Sequence, residues 1–134
     1  MILVDAGPLK AFFAADDQHH TACVAALQEI DEPLGTVWPA LTEAMHLLMG
    51  YPEAQEELWK MLESGAIELL ALGRGDLARM RELMRKYADR RIDMADAALL
   101  CVAEREGIHT IFTVDRRDFT VYRLQGRARL NTIP

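Results

Sequence analysis

An α/β fold with a mainly parallel central sheet of four to five strands, covered by helices on both faces, is the architecture this sequence predicts. Two observations carry the prediction. Short apolar or β-branched runs, such as ILV at 2–4 and TIFTV at 110–114, alternate with longer segments whose apolar residues recur at the helical period. Strands alternating with helices imply parallel strands joined by crossover helices. No linker, repeat or low-complexity stretch interrupts the alternation, so residues 1–134 are expected to form one domain.

The elements follow in order. Residues 1–5 make the first strand. The next helix is expected over about 8–15, with Gly7 as its cap and Pro8 at the first helical position, where a missing N–H costs nothing. Asp5 then stands two residues before the cap, at the mouth of a strand. A second helix runs from His20 to Ile30 on the periodic positions Cys23, Ala26, Leu27 and Ile30. Gly35 to Trp38 is a short strand, and Pro39 opens a helix that stops at Gly50 with Pro52 beyond it. A helix over 53–63 ends near Gly65, and Ile67 to Ala71 is the third strand. Beyond Gly73 and Gly75 a helix covers about 76–88. Asp93 to Glu106 is another, closed by Gly107, and Thr110 to Val114 is a fourth strand. A fifth strand is expected near Arg129 to Thr132.

Composition narrows the function. Half the residues, 51%, are apolar and 27% are charged, as in globular proteins. The longest apolar run, Ala97 to Ala103, has seven residues, too few to span a bilayer, and the start carries no basic leader. A cytoplasmic protein with no membrane partner is expected. Cys23 and Cys101 fall in helical segments without metal-ligand spacing and read as reduced core thiols. The net charge of −6 hides a gradient: residues 1–70 carry −10 and residues 71–134 carry +4. Arg90, Arg91, Arg116, Arg117, Arg123, Arg127 and Arg129 suit contact with a polyanion. A solvated, salt-bridged helix surface accounts equally well for residues 74–91.

One theme recurs in four segments: an acid among apolar or small neighbours. These are LVDAGP with Asp5, ALTEAMHLL with Glu43, IDMADAALL with Asp93 and Asp96, and FTVDRRDF with Asp115 and Asp118. In parallel sheets, sites lie outside the carboxyl ends of the strands, where Asp5 and Asp115 fall. Structural readings compete. Asp93 and Asp96 have the spacing of a capping box, and Asp115 and Asp118 can cap a turn. Glu43 is surrounded by Leu41, Ala44, Met45, Leu47 and Leu48, so partial burial is expected, with His46 as a partner or a surface residue. Two unit charges about 4 Å apart repel by about 4 kcal/mol at an effective dielectric of 20. Were Asp5, Glu43, Asp96 and Asp115 to converge, a divalent cation would relieve that conflict, and oxygen ligands without Cys or His favour Mg²⁺ or Mn²⁺.

VDAGPL, LTEAMHLL, DMADAALLCVAE and IFTVDRRDF, in this order and at these spacings, resemble the PIN domain family, and within it the VapC-like toxin ribonucleases. The resemblance runs nearly end to end. It implies a three-layer α/β/α sandwich and Mg²⁺- or Mn²⁺-dependent endoribonuclease activity. It also implies an RNA substrate, an antitoxin partner and a homodimer. Carried over by motif position, the acidic site is Asp5, Glu43, Asp96 and Asp115. Asp5, Asp96 and Asp115 are the implied metal ligands, and Glu43 is a ligand or the acceptor that orients water. Asp93 is a further candidate acid. Thr113 is expected to position a carboxylate or water, Asp118 to support the site from behind, and Arg90, Arg91, Arg116 and Arg117 to contact RNA. The alternative is a stand-alone PIN-fold RNA-binding or regulatory domain without turnover. A chain that binds no divalent cation in a calorimetric titration would favour it. A receiver-type phosphotransfer domain fits poorly, because one Asp ends the first strand and no lysine follows Lys86.

Overall fold

The computed structural model describes residues 1–126 and 128–134; Arg127, one of the basic residues above, lies outside the described residues. Five short strands form one sheet: β1 (Ile2–Val4), β2 (Leu34–Thr36), β3 (Ile67–Leu69), β4 (Thr110–Phe112) and β5 (Asn131–Ile133). Their order is β3-β2-β1-β4-β5, and every neighbouring pair is parallel. The helices are α1 (Ala6–Ala11), α2 (His20–Gln28), α3 (Trp38–Leu47), α4 (Pro52–Ser64), α5 (Leu77–Lys86), α6 (Met94–Glu106) and α7 (Arg116–Val121). α7 was expected only as a turn.

Alternation along the strands divides the core into two layers. Ile2, Val4 and Phe112 face one side, where they pack with Leu9, Phe12, Leu41, Leu48 and Leu58 from α1, α3 and α4 and the turn residues after α1 and α3. Leu3 and Ile111 face the other, with Leu83, Leu99, Val102 and Phe119 from α5, α6 and α7. A sheet buried on both faces needs near-continuous apolar strands, which explains runs such as ILV. The result is a three-layer α/β/α sandwich, as the sequence implied. Cys23 and Cys101 are buried free thiols.

The chain changes direction at β1. Going out from β1, β2 and β3 lie on one side, β4 and β5 on the other. The loops leaving β1 and β4 therefore part at the carboxyl edge, leaving a crevice where this class of sheet binds ligands. The β1–β4 ladder runs on past Val4, because Asp5 N–H donates to Phe112 O at 3.0 Å. Asp5 is thus fixed to the sheet edge by backbone as well as by its own side chain.

The expected cap at Gly7 is not used. α1 begins at Ala6, and Asp5 is its cap, accepting the Ala6 N–H at 2.7 Å. Pro8 is accommodated because amides of a first turn have no intrahelical acceptor. Gly7 has a different purpose. A Cβ there would fall inside the van der Waals envelope of Val114 Cγ2, so glycine lets α1 close against the segment leaving β4. Gly7→Ala is expected to destabilise the fold by about 1–3 kcal/mol through overpacking. Thermal denaturation reads the loss, and adding Val114→Ala should recover part of it; a Gly7→Ala protein as stable as wild type would contradict the close approach.

Candidate active site

Asp5 is the most constrained acid. It is 8% exposed, and both carboxylate oxygens are engaged. Oδ1 accepts from Ala6 N–H, and Oδ2 accepts from the Thr113 hydroxyl at 3.0 Å. The same Thr113 oxygen accepts the Asp115 N–H at 3.0 Å. One buried threonine therefore ties the loop after β1 to the loop after β4, and sets Asp5 and the start of Asp115 in fixed relation. Asp115 itself is exposed, at the start of α7.

Asp93 and Asp96 come from the start of α6. Asp93 Oδ1 accepts the Asp96 N–H at 2.8 Å, so the capping role expected for Asp93 holds. The other half of a capping box is replaced, because the Asp96 carboxylate turns to Tyr122 instead: the phenol donates to Oδ2 at 3.1 Å. Tyr122 is 1% exposed and packs edge-on against Tyr87 and Phe119. Its hydroxyl is aimed at Asp96, while that of Tyr87 accepts the Arg123 N–H at 2.8 Å.

Glu43 departs from expectation. Its side chain is exposed rather than partly buried. α3 turns Ala40, Leu41, Ala44 and the following Leu48 inward, and at the helical period this leaves Thr42, Glu43, His46 and Leu47 outward. Apolar neighbours in sequence lie on another face of the helix. Glu43 still belongs to the crevice, because α3 packs on both α1 and α6, and Glu43 and Asp93 line one cleft with His46 and Met94.

The electrostatics follow from this placement. Burial, opposed by the Ala6 and Thr113 hydrogen bonds and reinforced by the charges of Glu43 and Asp93, pushes Asp5 up to about 6. Burial, and then the charges of Asp5 and Asp93, push Asp96 up to about 8 against the lowering effect of Tyr122. Glu43 and Asp115 reach solvent but are partly shielded by the surrounding protein; that partial desolvation raises both, with the charge of Asp93 added on Glu43 and the contact with Asp118 on Asp115. Among the described residues, no salt bridge involves Asp5, Glu43, Asp93, Asp96 or Asp115.

Among the described residues these acids have no cation paired with them to offset their charge. An all-oxygen, surplus-negative donor set fits a hard divalent cation. The cage is not drawn tight: among the described residues, no three His, Cys, Asp or Glu side chains are grouped closely enough to hold an ion.

The basic residues divide. Arg116 and Arg117 are exposed in the first turn of α7, directly after Asp115. Arg91 is exposed in a left-handed turn with φ 55°. Arg90 is paired with Asp118 at 3.2 Å, which competes with the RNA contact expected for it and gives Asp118 a partner at the edge of the site. Arg123 binds the carbonyls of Thr120, Val121 and Tyr122, closing α7.

A family model for the PIN domain matches residues 2–124. The chain belongs to the PIN domain family. Ribonuclease VapC26 of Mycobacterium tuberculosis is 30% identical over 136 residues, an alignment that spans 99% of this chain and all of that protein. The crystal structure of Mycobacterium tuberculosis VapC20, described as a sarcin-ricin loop cleaving toxin, superposes with a TM-score of 0.78. It is 20% identical and covers 88% of this chain and 94% of its own. FitAcB from Neisseria gonorrhoeae gives a TM-score of 0.55 at 20% identity, covering 100% of this chain and 97% of that one. At these identities the two structures bear on the fold.

In this PIN domain, Tyr122 is a site residue that sequence reasoning missed. A tyrosine seven residues after Asp115 reads as ordinary core, and only the turn of α7 brings it to Asp96.

The raised carboxyls set the sign of a pH effect. In the unfolded chain an aspartate titrates at its ordinary 3.8, whereas folded Asp96 titrates near 8. The folded state binds the extra proton within that window, so the stability due to Asp96 falls as pH rises through it. In metal-free buffer, Asp96→Asn is expected to exceed wild type by about 1–2 kcal/mol at pH 8, with the gap closing near pH 4. Denaturant titrations across pH check this, and a gap that is constant or grows at low pH would contradict it.

Proposed function

We propose that this PIN domain is a divalent-metal-dependent endoribonuclease that acts as the toxin of a toxin–antitoxin pair. The observation that carries the reading is the set of acids at the carboxyl edge of β1 and β4, unpaired with any protein cation among the described residues. Family membership and a full-length relative named a ribonuclease support it.

Asp5, Asp96 and Asp115 would hold Mg²⁺ or Mn²⁺, with Glu43 as a further ligand or as the acceptor that orients the attacking water. Asp93 keeps one oxygen for the helix cap and has a second to offer. Held there, a divalent cation would supply positive charge to screen the phosphate and would lower the pKa of water. The Thr113 hydroxyl donates to Asp5 and accepts the backbone N–H of Asp115, so the two acids are held to one threonine. Tyr122 holds one oxygen of Asp96 and leaves the other for the crevice. Arg116 and Arg117, free of salt bridges among the described residues, bind phosphates of the RNA by charge-assisted hydrogen bonds. Arg91 stands as a further phosphate contact. Hydrolysis of this type leaves a 3′-hydroxyl and a 5′-phosphate.

An antitoxin and a homodimer belong to the same reading. Phe12 is buried in the core, whereas Trp59 is exposed on α4. Phe13, Tyr51 and Pro52 line a cleft that offers an apolar seat for a partner helix.

Purified wild type and Asp5→Asn, each incubated with labelled RNA and Mg²⁺ or Mn²⁺, test the activity. Wild type should cleave, chelation should stop it, and Asp5→Asn should lose at least about a hundredfold in rate, the scale of removing a group that fixes the reacting centre. Equal rates in the two proteins would sink the assignment. Light scattering of the same preparation should give twice the 15.1 kDa chain mass, and co-expression with an adjacent small gene should copurify its product.

A further inference from the structure

Trp38, the first residue of α3, is 55% exposed. Its indole forms one wall of an open cleft of about 640 Å³, with Pro39, His46 and Met94 and the carboxylates of Glu43 and Asp93. Met94 is itself 53% exposed. The Thr42 hydroxyl in the same cleft is spent on its own helix, donating to Trp38 O at 2.9 Å. What remains for a ligand is a flat aromatic face and a thioether beside two acids.

This chemistry selects among occupants. Among the described residues no Lys or Arg lines the cleft, so its indole end offers a phosphate no charge-assisted partner. A second copy of the chain is disfavoured as well. A twofold contact centred here would bring two sets of Glu43 and Asp93 into one buried interface without a Lys or Arg to pair them. An uncharged planar ring suits it. Nucleobases stack on aromatic side chains irrespective of sequence, because every base offers a π face. The cleft also runs directly into the acid set, since Glu43 and Asp93 belong to both.

We propose that Trp38, with Pro39 and Met94 lining the same cleft, is a stacking subsite for the nucleobase next to the scissile phosphate of single-stranded RNA, an inference that rests on the endoribonuclease reading. The phosphate lies over the acids and toward Arg116 and Arg117, and the base turns away from them onto the indole. Single-stranded or looped RNA is required, because a paired base has no free face to offer.

The chain has two tryptophans, so in a Trp59→Phe background Trp38 is the sole indole. A short single-stranded oligoribonucleotide, added to the catalytically silenced Asp96→Asn, Trp59→Phe protein, should quench its emission. An abasic ribose-phosphate chain of the same length should leave the emission unchanged. In the Asp96→Asn background, Trp38→Ala should weaken binding of that oligonucleotide about tenfold, and Trp38→Phe should restore most of the loss. Unchanged affinity and emission, with wild type still cleaving RNA, would overturn the subsite and leave the nuclease reading standing. Wild type that neither binds nor cleaves RNA would overturn both. Conversion of a dimer to monomers by Trp38→Ala, with RNA affinity per chain intact, would assign the face to a second copy and refute the proposal.

Discussion

Burial of carboxylates at the carboxyl edge of the sheet, reinforced by their like charges, is the constraint on which the rest of the structure turns. Asp5 and Asp96 are both pushed above the ordinary aspartate value, first by burial, with the charges of Glu43 and Asp93 added on Asp5 and those of Asp5 and Asp93 on Asp96. A marginally stable domain keeps such an arrangement only where the cost is compensated elsewhere or relieved by something that binds. The surrounding scaffold does part of this. Hydrogen bonds from Ala6, Thr113 and Tyr122 each favour the charged form of the acid they touch, without supplying a positive charge. The proposed cation would offset the remainder.

The fold explains why the acids fall at one edge of the sheet. Parallel strands direct their carboxyl ends to one edge, and the reversal of strand order at β1 opens a crevice between the loops after β1 and β4. Asp5 and Asp115 are fixed to that edge by the β1–β4 ladder and by Thr113. α6 contributes Asp93 and Asp96 from its first turn, where the helix dipole favours negative charge and partly offsets the repulsion. Gly7 allows α1 to lie close enough for the cap on Asp5 to form beside Val114. The acids thus come from four segments far apart in sequence, with Asp5, Asp93, Asp96 and the backbone of Asp115 each held by a hydrogen bond of its own.

Much of this was legible in the sequence, and the parts that were not have physical causes. Strand-terminal acids were readable at Asp5 and Asp115 because short apolar runs mark strand ends sharply. The Asp93 cap was readable from its spacing to Asp96. Glu43 misled, because apolar neighbours in sequence do not enclose a helical residue: Leu41, Ala44 and Leu48 point inward while Glu43 points out. The cap at Gly7 was misplaced because Pro8 tolerates any first-turn position. Tyr122 and the Arg90–Asp118 pair were beyond reach, since each depends on tertiary packing of α7. β5 pairs at Asn131–Ile133, at the far end of the expected segment, where the register with β4 rather than local propensity decides.

Thermal unfolding at pH 8 in Mn²⁺, against NaCl of equal ionic strength, tests most directly whether the acids are a cation site. Binding to the folded state alone raises the unfolding temperature by mass action, and screening by salt at matched strength is common to both arms. The account predicts a saturable rise in Mn²⁺ for wild type that is lost in Asp96→Asn. Identical curves in Mn²⁺ and NaCl, or an equal rise in Asp96→Asn, would contradict it.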